Sequence, residues 1–160
     1  MTVATASLAA LAERGWTLGV AESLTGGAVS AALVSVPGAS AVLLGAVVAY
    51  ATPVKHSLLG VDEALLRSGG PVQAGVALQM ADGVRAAIRV GERPADVGIA
   101  TTGIAGPDSP DGQPVGTVHV AVVTPTSTRC RSFVFRGDRD EIRAQATDAV
   151  LTLLDSVVRE

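Results

Sequence analysis

The sequence predicts a three-layer α/β/α domain built on a mixed, mostly parallel sheet. Three observations carry this reading. Short, continuous apolar runs alternate with stretches of helical period, as strands do when both faces are covered by helices. Read along the chain, the order is α-β-α-β-α-α-β-β-β-α. The last two strand-like runs are separated only by a short turn around Pro125, which requires an antiparallel pair in the sheet.

Each element has its own signal. "MTVATASLAALAERG" at 1–15 puts Ala4, Leu8 and Leu11 on one helical face and stops near Gly15. It lacks the basic start of a signal peptide. "WTLGVAE" at 16–22 reads as a buried strand, and the turn Thr25-Gly26-Gly27 follows it. Val29, Ala32, Leu33 and Val36 then keep helical spacing up to Pro37-Gly38. "GAVVAYA" at 45–51 reads as a second buried strand, and "DEALLRS" at 62–68 as a short helix with Asp62 as N-cap and Gly69 as stop. Val72, Val76, Met80, Val84 and Ile88 recur every four residues, with Gln79, Asp82, Arg85 and Arg89 between them, which predicts an amphipathic helix. "ADVGIAT" at 95–101 is the third strand, and "GTVHVAVVT" at 116–124 pairs with "TRCRSFVF" at 128–135 as a hairpin. Asp138 and Glu141 form a capping box for a last helix, striped by Ile142, Ala146, Ala149, Leu153 and Val157.

Composition narrows the classes. The 160 residues suit one domain spanning 1–160. They are 48% hydrophobic but only 2% aromatic, so the core is built from small branched side chains. A net charge of −3 without a dense basic patch argues against nucleic-acid binding through phosphates. One cysteine, Cys130, excludes an internal disulfide and suits a reduced, cytoplasmic setting. The longest apolar run, 41–51, is too short to span a bilayer, so no membrane partner is expected. His56 and His119 stand apart without zinc-ligand spacing, so no metal is expected.

Three polar, glycine-bearing stretches follow the ends of predicted strands, where ligands of such sheets gather. In "VAESLTGGAVS" at 20–30, Ser23 lies between a strand and a helix start. The orphan N–H groups of that start suit an oxyanion or a phosphate. The same residues also describe an ordinary turn with Thr25 as N-cap. In "AYATPVKHSLLGV" at 49–61, Tyr50 and Lys55 lie close in a lysine-poor chain. A desolvated lysine serves as a base, and serine–lysine pairs activate hydrolytic nucleophiles. A dehydrogenase-type Tyr/Lys pair needs a spacing of four on one helix face; here it is five, without a G-x-G-x-x-G. The third stretch, 98–120, ends a strand with Thr101, Thr102 and Gly103 and continues into a loop stiffened by Pro107, Pro110 and Pro114. Arg139 and Arg143 fall on the first turns of the last helix, where arginines are apt phosphate partners but solvated surface side chains by default.

Four segments together resemble the C-terminal domain of the competence-damage-inducible CinA family: "AESLTGG" at 21–27, "VAYATPVKHSLLGV" at 48–61, "TGIAGPDSPDGQPVGTVHVAV" at 102–122 and "GDRDEIRAQAT" at 137–147. The resemblance runs over nearly the whole chain. It implies the three-layer fold without the N-terminal nucleotide-hydrolase domain that some members carry. It also implies an amidase that converts nicotinamide mononucleotide to nicotinic acid mononucleotide and ammonia, with no cofactor and as a homo-oligomer. By the same resemblance Ser23 is the nucleophile, Lys55 its base, and Tyr50 orients one of them. N–H groups near Thr25, Gly26 and Gly27 hold the oxyanion, Thr102 and Gly103 line the nucleotide site, and Arg143 reaches the phosphate.

The chain departs from the family pattern at Leu24, where cysteine is usual, at Gly70-Pro71-Val72-Gln73, where the family often has Gly-Ala-Val-Ser, and at Ser109-Pro110, where glycines are common. A non-catalytic nucleotide-binding module, or an amidase for another small amide, are the alternatives these departures leave.

Overall fold

The computed structural model describes residues 1–160. Along the chain run α1 (Val3–Arg14), β1 (Leu18–Glu22), α2 (Ala28–Val34), β2 (Leu43–Val48), α3 (Thr52–Leu59), α4 (Glu63–Gly69) and α5 (Ala74–Ala87). The two-residue strands β3 (Arg89–Val90) and β4 (Arg93–Pro94) follow, then β5 (Val97–Gly103), β6 (Thr117–Val123), β7 (Thr128–Val134) and α6 (Arg139–Val158). The main sheet has the order β2-β1-β5-β6-β7. β1 pairs in parallel with β2 and β5, while β6 is antiparallel to β5 and to β7. The sheet is mixed, with its parallel strands together on one side.

Strand alternation divides the core into two layers. Val20, Ile99 and Val120 face α1, α2 and α6, packing with Leu8, Leu33, Ile142 and Leu154. Ala21, Ala100 and Ala121 face the other way, onto Leu59, Val76, Met80 and Val84. The alanines on that side let α5 lie close to the sheet. The capping box forms as its spacing predicts: Glu141 N–H donates to Asp138, and the Glu141 carboxylate accepts from Asp138 N–H. No helix is long and apolar enough to cross a membrane.

Three features differ from the sequence reading. The second strand, read as buried, is a half-exposed edge. The stretch after it forms a helix of its own, α3, with a proline in its first turn and Gly60 as a left-handed C-cap. The periodic helix ends at Ala87 and not Arg89, because Ile88 turns extended and the chain enters the small β3–β4 hairpin.

The parallel strands β1, β2 and β5 all end at one edge of the sheet. The segments that follow them, 23–27, 49–55 and 104–116, therefore meet in space.

Candidate active site

Ser23 is the first residue beyond β1 and is almost wholly buried. Its N–H donates to Thr101 Oγ1 on the neighbouring strand at 3.4 Å. Thr101 Oγ1 also bonds Thr25 Oγ1 at 2.8 Å. Thr25 is thus turned into the sheet and is not the helix cap. Gly27 is the N-cap of α2, at φ +106°, a left-handed angle that favours glycine. It has no side chain to cap with.

The cap comes from Glu22, which is 0% exposed. Its carboxylate accepts from Gly27 N–H at 3.1 Å, Val29 N–H at 2.9 Å, Ser30 N–H at 3.0 Å and Ser30 Oγ at 2.6 Å. A buried carboxylate is tolerable when saturated in this way, and it complements the positive end of the helix. It also occupies that end, so α2 has no vacant N-terminus for a ligand phosphate. Sequence reasoning missed Glu22; the signal was an acidic residue inside an apolar strand just before the turn.

Lys55 lies on α3 and is 1% exposed. Its Nζ is 2.8 Å from Ser23 Oγ, 2.6 Å from the Ala49 carbonyl and 3.2 Å from the Tyr50 carbonyl. Burial lowers its pKa to about 8, because desolvation disfavours the charged form. The carbonyls only accept, so in the neutral amine both N–H bonds serve them. The lone pair is then left in the direction of Ser23 Oγ.

The phenol of Tyr50 does not orient either residue. It is 61% exposed, and its hydroxyl accepts from Arg139 Nη2 at 3.1 Å. What Tyr50 adds to the hold on Lys55 is its backbone carbonyl, beside that of Ala49. Gly26 and Gly27 also differ from expectation, because their N–H groups are engaged, with Ser23 O and Glu22 respectively. The backbone N–H groups of Leu24 and Thr25 make no hydrogen bond in the chain. These two are the free donors beside Ser23.

Ser23 and Lys55 open into a cavity of about 430 Å³, within the range of small-molecule sites. Leu24, Tyr50, Thr102, Gly103, Asp111 and Arg139 are among its walls. Thr102 Oγ1 donates to the Pro71 carbonyl at 2.7 Å, which ties β5 to the wall opposite. At Gly103 a Cβ would stand 2.7 Å from the Thr117 carbonyl, so the close pairing of β5 and β6 there needs glycine. The 104–116 loop is closed at its base by Ile104 N–H to Thr117 O and Gly116 N–H to Ile104 O. It is tied laterally by Gln113 Nε2 to Val72 O at 2.9 Å.

Of the two arginines, the one on the cavity wall is not Arg143, which the resemblance assigned to the phosphate. Arg139 is on the cavity wall, with Nη1 donating to Gly106 O at 2.6 Å. Arg143, one helical turn further, is not; it donates from Nε to Leu24 O at 2.9 Å and from Nη2 to Thr25 O at 3.2 Å. Of the departures from the family pattern, Leu24, Pro71 and Pro110 line the cavity. Gln73 does not; its side chain bonds Leu65 O and Gly70 O, each at 2.8 Å. No three His, Cys, Asp or Glu side chains are grouped so as to hold a metal ion.

Known proteins agree with this architecture. The family model of the CinA C-terminal domain matches residues 1–158. A CinA-like protein of Frankia casuarinae is 49% identical over 152 residues, covering 95% of this chain and 33% of the relative. A putative competence-damage inducible protein of Desulforamulus reducens is 43% identical, over 89% of this chain and 34% of its own length. The chain thus spans about a third of the curated relatives it matches. The crystal structure of competence damage-inducible protein A from Klebsiella pneumoniae superposes with a TM-score of 0.91 at 31% identity, covering 99% of this chain and 96% of that one. The competence/damage inducible protein of Agrobacterium tumefaciens gives 0.90 at 31% identity, over 99% and 94%. With the family model matched over residues 1–158 and the fold shared, this chain belongs to the CinA C-terminal domain family.

Proposed function

We propose that the chain is a serine amidase that hydrolyses the carboxamide of nicotinamide mononucleotide to the carboxylate and ammonia. One observation carries the reading: a buried lysine of lowered pKa lies 2.8 Å from a serine hydroxyl at the wall of a ligand-sized cavity.

The chemistry follows from the contacts. Neutral Lys55 accepts the Ser23 proton as Oγ bonds to the amide carbon. The carbonyl π electrons move onto oxygen, and the N–H groups of Leu24 and Thr25 are the donors at hand for that oxyanion. As the tetrahedral adduct collapses, the C–N bond breaks and the Lys55 proton goes to the departing nitrogen, which leaves as ammonia. Water then attacks the acyl-serine and gives a proton to Lys55. Lys55 returns it to Ser23 Oγ as the acid leaves. No metal or organic cofactor enters these steps.

Arg139 is the cation on the cavity wall outside the dyad and is the proposed phosphate partner, with Thr102 and Gly103 along the nucleotide. This moves to Arg139 the role first assigned to Arg143. The homo-oligomeric state implied by the family resemblance belongs to the same reading. A second reading, an amidase for another small amide, draws on Leu24, which puts an isobutyl group on the wall where the family usually has a thiol.

The test is ammonia release from nicotinamide mononucleotide by wild type and Ser23→Ala. Release that falls at least about a thousandfold in the variant, with ligand affinity kept, is the expected result. A folded wild type that binds the nucleotide without releasing ammonia is instead a binding module. One that releases ammonia only from other amides supports the second reading.

A further inference from the structure

The donating hydrogen bonds of Arg143 go to the consecutive backbone carbonyls of Leu24 and Thr25, in the turn after Ser23. We infer that Arg143 is a positioning residue that sets the oxyanion donors of the site, an inference that rests on the amidase reading above.

The reasoning starts from peptide planarity. In a trans peptide the C=O and the following N–H point in opposite directions. Arg143 Nε fixes the Leu24 carbonyl at 2.9 Å, so the N–H of Thr25 faces away from the guanidinium. The Ser23 carbonyl is fixed in the same manner, by Gly26 N–H at 3.1 Å, and this turns the Leu24 N–H away from the turn interior. The Thr25 carbonyl is held twice, by Arg143 Nη2 at 3.2 Å and by Ala28 N–H at 3.0 Å. Every carbonyl from Ser23 to Thr25 therefore has a donor, while the N–H groups of Leu24 and Thr25 have no partner. Leu24 and Thr25 are 4% and 0% exposed, and unpaired donors in buried residues are uncommon. An oxyanion formed on the carbon attached to Ser23 Oγ is the partner that such a pair of donors suits. Left without Arg143, the Leu24–Thr25 peptide is free to rotate, and one donor is lost from its place.

Arg143 is suited to this task by its own support. It extends from the second turn of α6, a 20-residue helix anchored by its capping box, and Asp140 lies 3.7 Å from Nη1. The planar fork grips two carbonyls at once, which a lysine ammonium does not reproduce in one geometry.

The experiment compares wild type, Arg143→Ala and Arg143→Lys with two acyl donors. One is nicotinamide mononucleotide, read by ammonia. The other is p-nitrophenyl acetate, read by the burst of p-nitrophenolate as Ser23 is acylated. Loss of one properly placed oxyanion donor lowers turnover by about 10²-fold. The expected result is such a fall in kcat for Arg143→Ala with KM nearly unchanged, a smaller fall for Arg143→Lys, and partial rescue of Arg143→Ala by added guanidinium ion. Circular dichroism and the melting temperature check folding, and Arg143→Lys decides the matter if Arg143→Ala does not fold. A kcat within twofold of wild type in the folded variants overturns the inference, as does a loss confined to KM. If wild type is silent toward the nucleotide but acylated by the ester, the substrate reading fails while the ester burst still decides the role of Arg143. A wild type silent toward both overturns the two together.

Discussion

The turn after β1 and the loop between β5 and β6 both border the same cavity, yet they are built in opposite ways. The turn, 23–27, is mostly buried and gripped from behind: Glu22 holds the helix start, Arg143 two carbonyls, Thr101 the serine N–H. The loop, 104–116, is tied at its base and at Gln113, while Asp108, Pro110 and Asp111 carry its wall to the exterior. The difference teaches a division of labour. Under the proposed amidase reading, groups that meet reacting atoms are held on the inner segment, and groups that meet the remainder of a ligand lie on the outer one.

That division can be broken by mutation. Its largest expected effect is at Lys55. Lys55→Met removes the base and lowers kcat by about 10³-fold, measured as steady-state ammonia release. The same base gives wild type a pH signature: below about 8 Lys55 is protonated and cannot accept the serine proton, so kcat/KM rises with pH and levels off above that midpoint. A profile flat from pH 6 to 10 would remove Lys55 from the role. Next comes Glu22. Glu22→Ala leaves three helix N–H groups unpaired and lowers stability by about 3–5 kcal/mol, read as a shift of the urea midpoint. Glu22→Gln keeps an accepting oxygen but presents an NH2 to the Ser30 donors, so its loss is smaller. The outer wall gives the least. Arg139→Gln, at the start of α6, raises KM by about tenfold, and Asp108→Asn, on the loop, changes it by about twofold, with kcat retained. A loop variant that lowers kcat as far as Lys55→Met would erase the contrast between the two segments.

Much of this was legible in the sequence, and the failures have physical causes. Period-four apolar spacing and the Asp138/Glu141 box are local signals, and the helices they mark are present. Ser23 and Lys55 are 32 residues apart in sequence, yet strand-end logic brings them to one edge of the sheet, and they lie 2.8 Å apart. The second strand misled because sheet order is not a local property. No charged residue occurs between Glu22 and Lys55, so an edge strand had the composition of a central one. The eight-residue α3 was hidden by its proline, which reads as a break but here occupies the first turn. Arg139 and Arg143 are one turn apart on α6, and which of them reaches the cavity is fixed only by how that helix docks. Glu22 was passed over because an acidic residue in a buried strand makes sense only once the helix it caps is in place.

For the proposed amidase reaction, the hold on Lys55 has a kinetic consequence. The carbonyls of Ala49 and Tyr50 bind its nitrogen whether it is an ammonium or an amine. Only the third position, toward Ser23, changes from donor to lone pair. The side chain can therefore take up and release a proton in every catalytic cycle without changing rotamer. The reorganisation that a solvated lysine would require with each proton is completed during folding, so it adds nothing to the barrier of the reaction.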